Sequence, residues 1–247
     1  EIKIGNYSIF NYDKKSHGVQ TMTEVLERSL NTGVVFAQRK TGNDAFINYV
    51  VGFGFGQKSG VDLSGEVTGS LANLYEGHEV NYATATFGQG ISVTPLQLVN
   101  GISAIANDGK LMRPYIVKEV LHADGTSTIT KPKIIGSPIK DTTARQLKTM
   151  LTSVVDRGFD RAKIKGYDIA GKTGTAQIAD PKGGYLGDNQ FVHDFVGFAP
   201  SYDPRFTILI KIDKPKNINF ASNSLTPVFG DLAAFLLRYY KIPPTRP

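Results

Sequence analysis

The chain has 247 residues, enough for one sizeable core, and its 40% hydrophobic and 20% charged content is that of a globular protein. A net charge of +6 without any Lys/Arg run excludes a basic nucleic-acid arm, so no nucleic-acid partner is expected. With no cysteine there is no disulfide, thiolate site or thiol nucleophile, and four scattered histidines (His17, His78, His122, His193) lack ligand spacing, so neither a metal nor a cofactor is expected.

The chain opens on Glu1-Ile2-Lys3-Ile4 with no Met and no signal peptide, and reads as a piece of something longer. Residues 1–20 are polar and turn-rich. Thr21-Met22-Thr23-Glu24 is a capping box, and Met22, Val25, Leu26 and Leu30 follow at helical spacing. Ser29 to Gly33 are poor helix formers that break this pattern, a second helical stretch runs from Val34 to Arg39, and Asn43 or Asp44 caps a third to about Val51. Gly52-Phe53-Gly54-Phe55-Gly56 reads as tight backbone with buried rings, and residues 57–92 as loops.

Thr94-Pro95 opens a helix stopped by Asn107-Asp108-Gly109. Tyr115–Leu121 alternates as a strand, Asp124-Gly125 is a hairpin turn, and a strand returns over 126–130. Asp141 caps a helix carrying Ala144, Leu147, Leu151, Val154 and Val155. Strands are predicted over 168–178, 191–199 and 206–213, the last by strict alternation of Phe206, Ile208, Ile210 and Ile212. A final helix from Thr226-Pro227 offers Phe229, Leu232, Phe235 and Leu236 as cover for the sheet. The expected fold is α/β of the α+β kind: one domain, 1–247, with an antiparallel sheet flanked by helices (mainly 166–240) beside a helical lobe (mainly 20–160). No run approaches the about 18 apolar residues of a membrane span.

Lys172 belongs to two patterns at once. From Gly166, the run to Thr173 satisfies G-x-x-x-x-G-K-[ST], a phosphate-binding loop, which would make the chain a nucleotide hydrolase. That loop needs a buried strand before it and a helix after the lysine, yet Arg161-Ala162-Lys163-Ile164-Lys165 precedes it and Thr173-Gly174-Thr175 follows. Lys172-Thr173-Gly174 is also the K-T-G triplet of penicillin-interacting serine enzymes, which needs a strand here and an S-x-N across a cleft. Ser29-Leu30-Asn31 supplies the S-x-N at a helix break.

The longer stretches carry a resemblance. Thr23 to Asn31, Phe53-Gly54-Phe55-Gly56, Asp62 to Glu66, Phe87-Gly88-Gln89-Gly90-Ile91-Ser92-Val93-Thr94-Pro95-Leu96-Gln97, Ala170 to Ala176 and Asp194 to Pro200 closely resemble the transpeptidase domain of class B penicillin-binding proteins. The resemblance implies a β-lactamase/transpeptidase-like fold, D-Ala–D-Ala acyl transfer on peptidoglycan stem peptides, acylation by β-lactam antibiotics and partners among cell-wall synthesis proteins. It also implies an extracytoplasmic location, held by an N-terminal membrane anchor that is missing here. One departure is large: the family's S-x-x-K, whose serine is the nucleophile, does not precede Ser29. The S-x-x-K that is present, Ser137-Pro138-Ile139-Lys140, has the wrong order and a helix-spoiling proline. No nucleophile is therefore assigned in this chain, which alone is expected to be inactive.

The resemblance assigns the ligand carboxylate to Lys172, Thr173 and Thr175, a proton relay to Ser29 and the acyl-side amide to Asn31. The amide of Thr175 would join an oxyanion hole, and Gly174 would clear the ligand's approach. Gln177 and Tyr185, beyond the strand, are candidates for lining the cleft, with 180–187 a glycine-rich loop at its mouth. Glu66, a carboxylate that a β-lactamase would use, is read as structural from its Leu63-Ser64-Gly65-Glu66 setting. Two alternatives stay open: a non-catalytic β-lactam sensor or scaffold, and more remotely the nucleotide hydrolase.

Overall fold

The computed structural model describes residues 1–180, 182–187 and 190–247. A hairpin of β1 (Ile2–Ile4) and β2 (Tyr7–Ile9) buries Ile4 and Ile9 against Val35 and Ala83. Helix α1 (Met22–Glu27) starts at its capping box: the Thr21 hydroxyl accepts from the Glu24 N–H, and the Glu24 carboxylate accepts from the Thr21 N–H. The chain breaks at Ser29, which has φ +53°, and α2 (Asn31–Thr41) begins at once. The break is thus shorter than expected. First-turn amides need no intrahelical partner, so Asn31, Thr32 and Gly33 are tolerated there.

Helix α3 (Asn43–Gly52) follows Gly42 without a side-chain cap, because the Asn43 oxygen accepts from Gln38 Nε2 instead (2.7 Å). Phe53 and Phe55 are half-buried rather than buried. The expected loop at 57–92 contains α4 (Ala72–Tyr75) and α5 (Glu79–Ala85), too short to show a period; Leu74, Tyr82 and Ala85 pack with Phe46 and Ile47. Helix α6 (Pro95–Ala106) has a second capping box, Thr94 with Gln97.

Small antiparallel pairs follow: β3 (Leu111–Met112), β4 (Glu119–Leu121), β5 (Ser127–Ile129) and β6 (Ile134–Gly136), with β3 on β6 and β4 on β5. The strand expected from Tyr115 starts only at Glu119. The Asp62 carboxylate takes the N–H groups of Ile116 (2.8 Å) and Val117 (2.7 Å), which removes them from any ladder. In α7 (Asp141–Gly158) the cap position is Lys140; Asp141 is the first helical residue and its carboxylate accepts from the Thr142 N–H.

A 3₁₀ turn (Asp160–Ala162) leads to the main sheet, β7 (Ala170–Gln177), β8 (Phe191–Ala199) and β9 (Phe206–Asp213), antiparallel in the order β7-β8-β9. Strand alternation sorts its side chains. Ala170 and Phe198 pack with Ile105 and Leu151 of the helical lobe, while Phe195 and Ile208 pack on the other face with Phe229. That second face is covered by α8 (Ala221–Ser224) and α9 (Thr226–Tyr239). Of the residues expected to cover it, Phe229 and Leu236 do so, but Leu232 and Phe235 are exposed; Ala233 and Leu237 take their place, four and eight positions on from Phe229. Thr226 does not cap α9, since its hydroxyl donates to the Ser222 carbonyl. Among the described residues no helix is long and apolar enough to cross a membrane.

Candidate active site

Lys172 is the third residue of β7, and no helix follows it. A phosphate loop would need a helix N-terminus there, so the nucleotide reading is overturned. Residue pairing across β7 and β8 sets Lys172 opposite Val196, Gly174 opposite Asp194 and Thr175 opposite His193. Lys172 and Gly174 therefore share the face turned to the helical lobe, with Thr173, Thr175 and Gln177 on the other. Strand β7 is the sheet's edge, so a ligand touching both sets lies along that edge.

Ser29 stands across from the strand, on the left-handed residue between α1 and α2. The Lys172 ammonium donates to Ser29 Oγ at 2.9 Å and to the Thr173 carbonyl at 3.0 Å, with Thr173 Oγ1 at 3.4 Å. Burial pulls the Lys172 ammonium down to about 8, against the upward pull of the Asp194 carboxylate. The Asn31 amide nitrogen donates to the Phe10 carbonyl (2.9 Å), and the Asn11 side chain accepts from the N–H and hydroxyl of Thr32. This fastens the 10–12 segment to the start of α2. From it, Tyr12 meets Phe220 edge-on, 5.9 Å between ring centres. Phe220 in turn precedes Ala221, whose N–H donates to Thr175 Oγ1 (3.1 Å).

The structure thus brings Ser29, Lys172 and Thr173 into one hydrogen-bonded cluster, with Asn31 two residues from Ser29 and Thr175 tied to α8. Gln177 and Tyr185 stand apart. Gln177 is exposed five residues along β7 from Lys172, about 16 Å at strand rise, and Tyr185 lies beyond it, paired with Ala179. Burial pushes the Tyr185 phenol up. The loop at 180–187 includes Pro181, which lies outside the described residues.

Glu66 sits in a loop clamp, accepting from the Ser59 hydroxyl, the Ser59 N–H and the Gly60 N–H, which hold its carboxyl below the usual range. Ser137 is exposed in the non-helical link before α7. Two polar residues of β8 had no assigned role. His193 is fully buried, shares a hydrogen bond with Ser224 Oγ (2.9 Å), and is held below its ordinary range by burial. Asp194 is half-buried, and burial raises its carboxyl against the lowering pull of Lys172 and Lys211. The signal for both was two ionisable residues inside an otherwise apolar strand. Among the described residues no cluster of His, Cys, Asp or Glu could hold a metal ion.

Comparison with known proteins bears on the family and the fold. The family described as penicillin binding protein transpeptidase domain matches residues 1–234. Stage V sporulation protein D of Bacillus subtilis is 41% identical over 226 residues, 90% of this chain and 34% of the relative. Peptidoglycan D,D-transpeptidase FtsI of Escherichia coli is 31% identical over 228 residues, 91% of this chain and 37% of the relative. The chain thus spans 34% and 37% of these two relatives' lengths. The crystal structure of penicillin binding protein 3 from Mycobacterium tuberculosis complexed with aztreonam superimposes with a TM-score of 0.89 at 32% identity, covering 100% of this chain and 57% of that one. With a match that spans nearly the whole chain, this protein belongs to the penicillin binding protein transpeptidase domain family.

Proposed function

We propose that residues 1–247 act as one transpeptidase domain, with a helical lobe and a sheet part, in a protein that cross-links peptidoglycan stem peptides by serine acyl transfer. The observation that carries this is the 2.9 Å hydrogen bond from Lys172 Nζ to Ser29 Oγ, which joins the K-T-G strand to the S-x-N turn across the two parts of the fold. In this reading β-lactams bind at the same place, the protein works outside the cytoplasm beside other wall-synthesis proteins, and the nucleophile lies outside these residues.

The chemistry follows from the side chains in place. A serine oxygen attacks the carbonyl of the penultimate D-Ala; the C–O bond forms, the C–N bond breaks, and the terminal D-Ala leaves as the amine. The serine's proton reaches that amine through Ser29, whose hydroxyl can accept and donate at once. An amine from a neighbouring stem peptide then attacks the ester, and its proton returns to the serine oxygen. The Lys172 ammonium and the hydroxyls of Thr173 and Thr175 hold the ligand carboxylate. Thr175 accepts from Ala221 and keeps its own O–H to donate. Asn31 uses its amide nitrogen on Phe10 and keeps its oxygen for the ligand's acyl-side N–H. The Thr175 N–H faces developing oxyanion charge. Gln177 and Tyr185 line the far end of the groove, where extended ligands reach.

The second reading, a β-lactam sensor or scaffold without turnover, rests on Ser137-Pro138-Ile139-Lys140 standing outside any helix. Labelling with a fluorescent penicillin, read on a denaturing gel, separates the two. Residues 1–247 alone should give no labelled band, and a version extended upstream through an S-x-x-K should give one. A band from 1–247 that Ser137→Ala abolishes would place the nucleophile inside the chain. No band from the extended version would favour the non-catalytic reading.

A further inference from the structure

Asp194 stands on the face of β8 turned to the helical lobe, directly opposite Gly174 and two pairs along from Lys172 on the same face. Its carboxylate rests on the β7 backbone: a Cβ built on Gly174 would lie 2.5 Å from Asp194 Oδ1 and 2.7 Å from Oδ2. Any side chain at 174 would evict it, so this glycine makes room for Asp194 as well as for a ligand. Among the described residues no donor reaches the carboxylate within hydrogen-bond distance, and no ion pair holds it. A half-buried carboxylate without a partner carries a desolvation cost, and a neutral residue of the same size would avoid it.

The surrounding charges narrow its role. Lys172 on β7 and Lys211 on β9 are the cations that act on it. Lys211 is already paired with Asp213. From the helical side the group presented to Lys172 is the neutral Ser29 hydroxyl. On the packed helices Lys148 pairs with Asp108 and Glu27 with Arg157, while Arg28, next to Ser29, is exposed with its guanidinium 3.5 Å from the His17 ring. Lys172 itself donates only to neutral oxygens, so Asp194 is the negative charge that compensates it.

We propose that Asp194 is a positioning residue of the Lys172 site: its carboxylate, seated on Gly174, is the resident counter-charge of the Lys172 ammonium, and an arriving ligand carboxylate takes over that part. Ligand binding then leaves two carboxylates around one ammonium. Asp194 takes one proton from solvent onto a carboxyl oxygen, and the three groups together stay neutral. Removing Asp194 leaves Lys172 enclosed with no counter-charge, so the amine loses its proton at lower pH. Anionic ligands are then held less well on the alkaline side and at least as well on the acid side, where the ammonium survives and a repelling charge is gone.

The ligand part of this rests on the transpeptidase reading; the counter-charge part does not, and the test separates them. The Lys172 side chain is followed by NMR in protein carrying ¹³C-labelled lysine, its signal assigned by its loss in Lys172→Arg. The wild-type midpoint is expected near about 8. Asp194→Asn should move it down, and Gly174→Ala, which displaces the carboxylate without removing it, should move it the same way. If Asp194→Asn fails to fold by circular dichroism, Gly174→Ala decides. An unchanged or raised midpoint in the folded variants overturns the proposal, because a merely structural aspartate would not set the titration of Lys172. Benzylpenicillin acylation of the S-x-x-K-extended protein, followed from about pH 6 to about pH 9, gives the second readout. The alkaline limb should shift to lower pH in Asp194→Asn. A uniform fall at every pH overturns the ligand part. A shifted midpoint with no acylation in any variant leaves the counter-charge standing and fails the transpeptidase reading alone.

Discussion

The two sides of the cleft are built by different means. Lys172 stands inside a strand whose register is fixed along eight pairs with β8, and the face behind it is sealed by Phe195, Phe229 and Ala233. Ser29 stands on a single left-handed residue between two helices, exposed, with Lys172 as its side-chain partner. One side is held by the ladder and the core, the other by local backbone geometry. Substitutions on the strand side should therefore act through global stability, and those at Ser29 through local strain and chemistry.

The largest effect tests the strand side. Phe229 is fully buried, 4.5 Å from Phe195 between ring centres. Phe229→Ala should cost about 3–5 kcal/mol, the range for a buried aromatic whose cavity collapses poorly. Phe235→Ala on the exposed side of the same helix should cost under about 1 kcal/mol. Urea unfolding of both measures the contrast. Equal losses would mean that α9 seals the sheet by some other face than the one described.

The same contrast governs what could be read from residue order alone. The bounds of β8 and β9 were legible to the residue, because alternation and apolar density report a face that must be buried. The Thr21–Glu24 capping box and the Thr94 cap were legible, because they are chemistry between near neighbours, but the reciprocal bond from the Thr94 N–H to the Gln97 side chain was not read. The K-T-G and S-x-N sites were legible as motifs. Their meeting across the cleft was an expectation that took coordinates to test. Helices α4 and α5 were not legible, having too few turns to display a period. The start of α2 was missed because first-turn residues need not be good helix formers. Asp194 was quoted within a motif and passed over. Only the cross-strand register puts it on Gly174, and register is not a local property.

A second prediction comes from burying a charge in the ladder. Burial holds Lys172 at about 8, below the ordinary value of 10.5. The folded state therefore gives up this proton earlier than the unfolded chain does. Between those values the unfolded chain binds more protons, so this residue's contribution to stability rises with pH across that window. Below about pH 8 the burial penalty stands in full, about 3 kcal/mol for a shift of this size. In Lys172→Met that rise should vanish, while penicillin capture by the extended protein falls at least about 100-fold. Denaturant midpoints at about pH 7 and about pH 10, in wild type and variant, give the difference that isolates Lys172 from the other groups titrating there. A rise with pH that persists in Lys172→Met would mean that another group titrating in that window carries it.

The smallest expected effect probes the other side. Ser29 holds φ at +53°, a region that L-residues with a Cβ enter at a cost of about 1–2 kcal/mol and glycine enters freely. Ser29→Gly should therefore leave stability unchanged or raise it by up to about 1 kcal/mol. Ser29→Val, with a β-branched side chain in the same conformation, should lose about 1–2 kcal/mol. Both remove the hydroxyl that accepts from Lys172 and, in the proposed mechanism, relays the proton. Acylation rates of the two variants in the extended protein should fall together, although their stabilities move apart. Acylation that tracked stability instead would show that position 29 serves the fold at this turn and that its oxygen carries no proton. Acylation that fell equally in both would separate the geometry of the turn from its chemistry, and would assign the chemistry to a single oxygen 2.9 Å from Lys172.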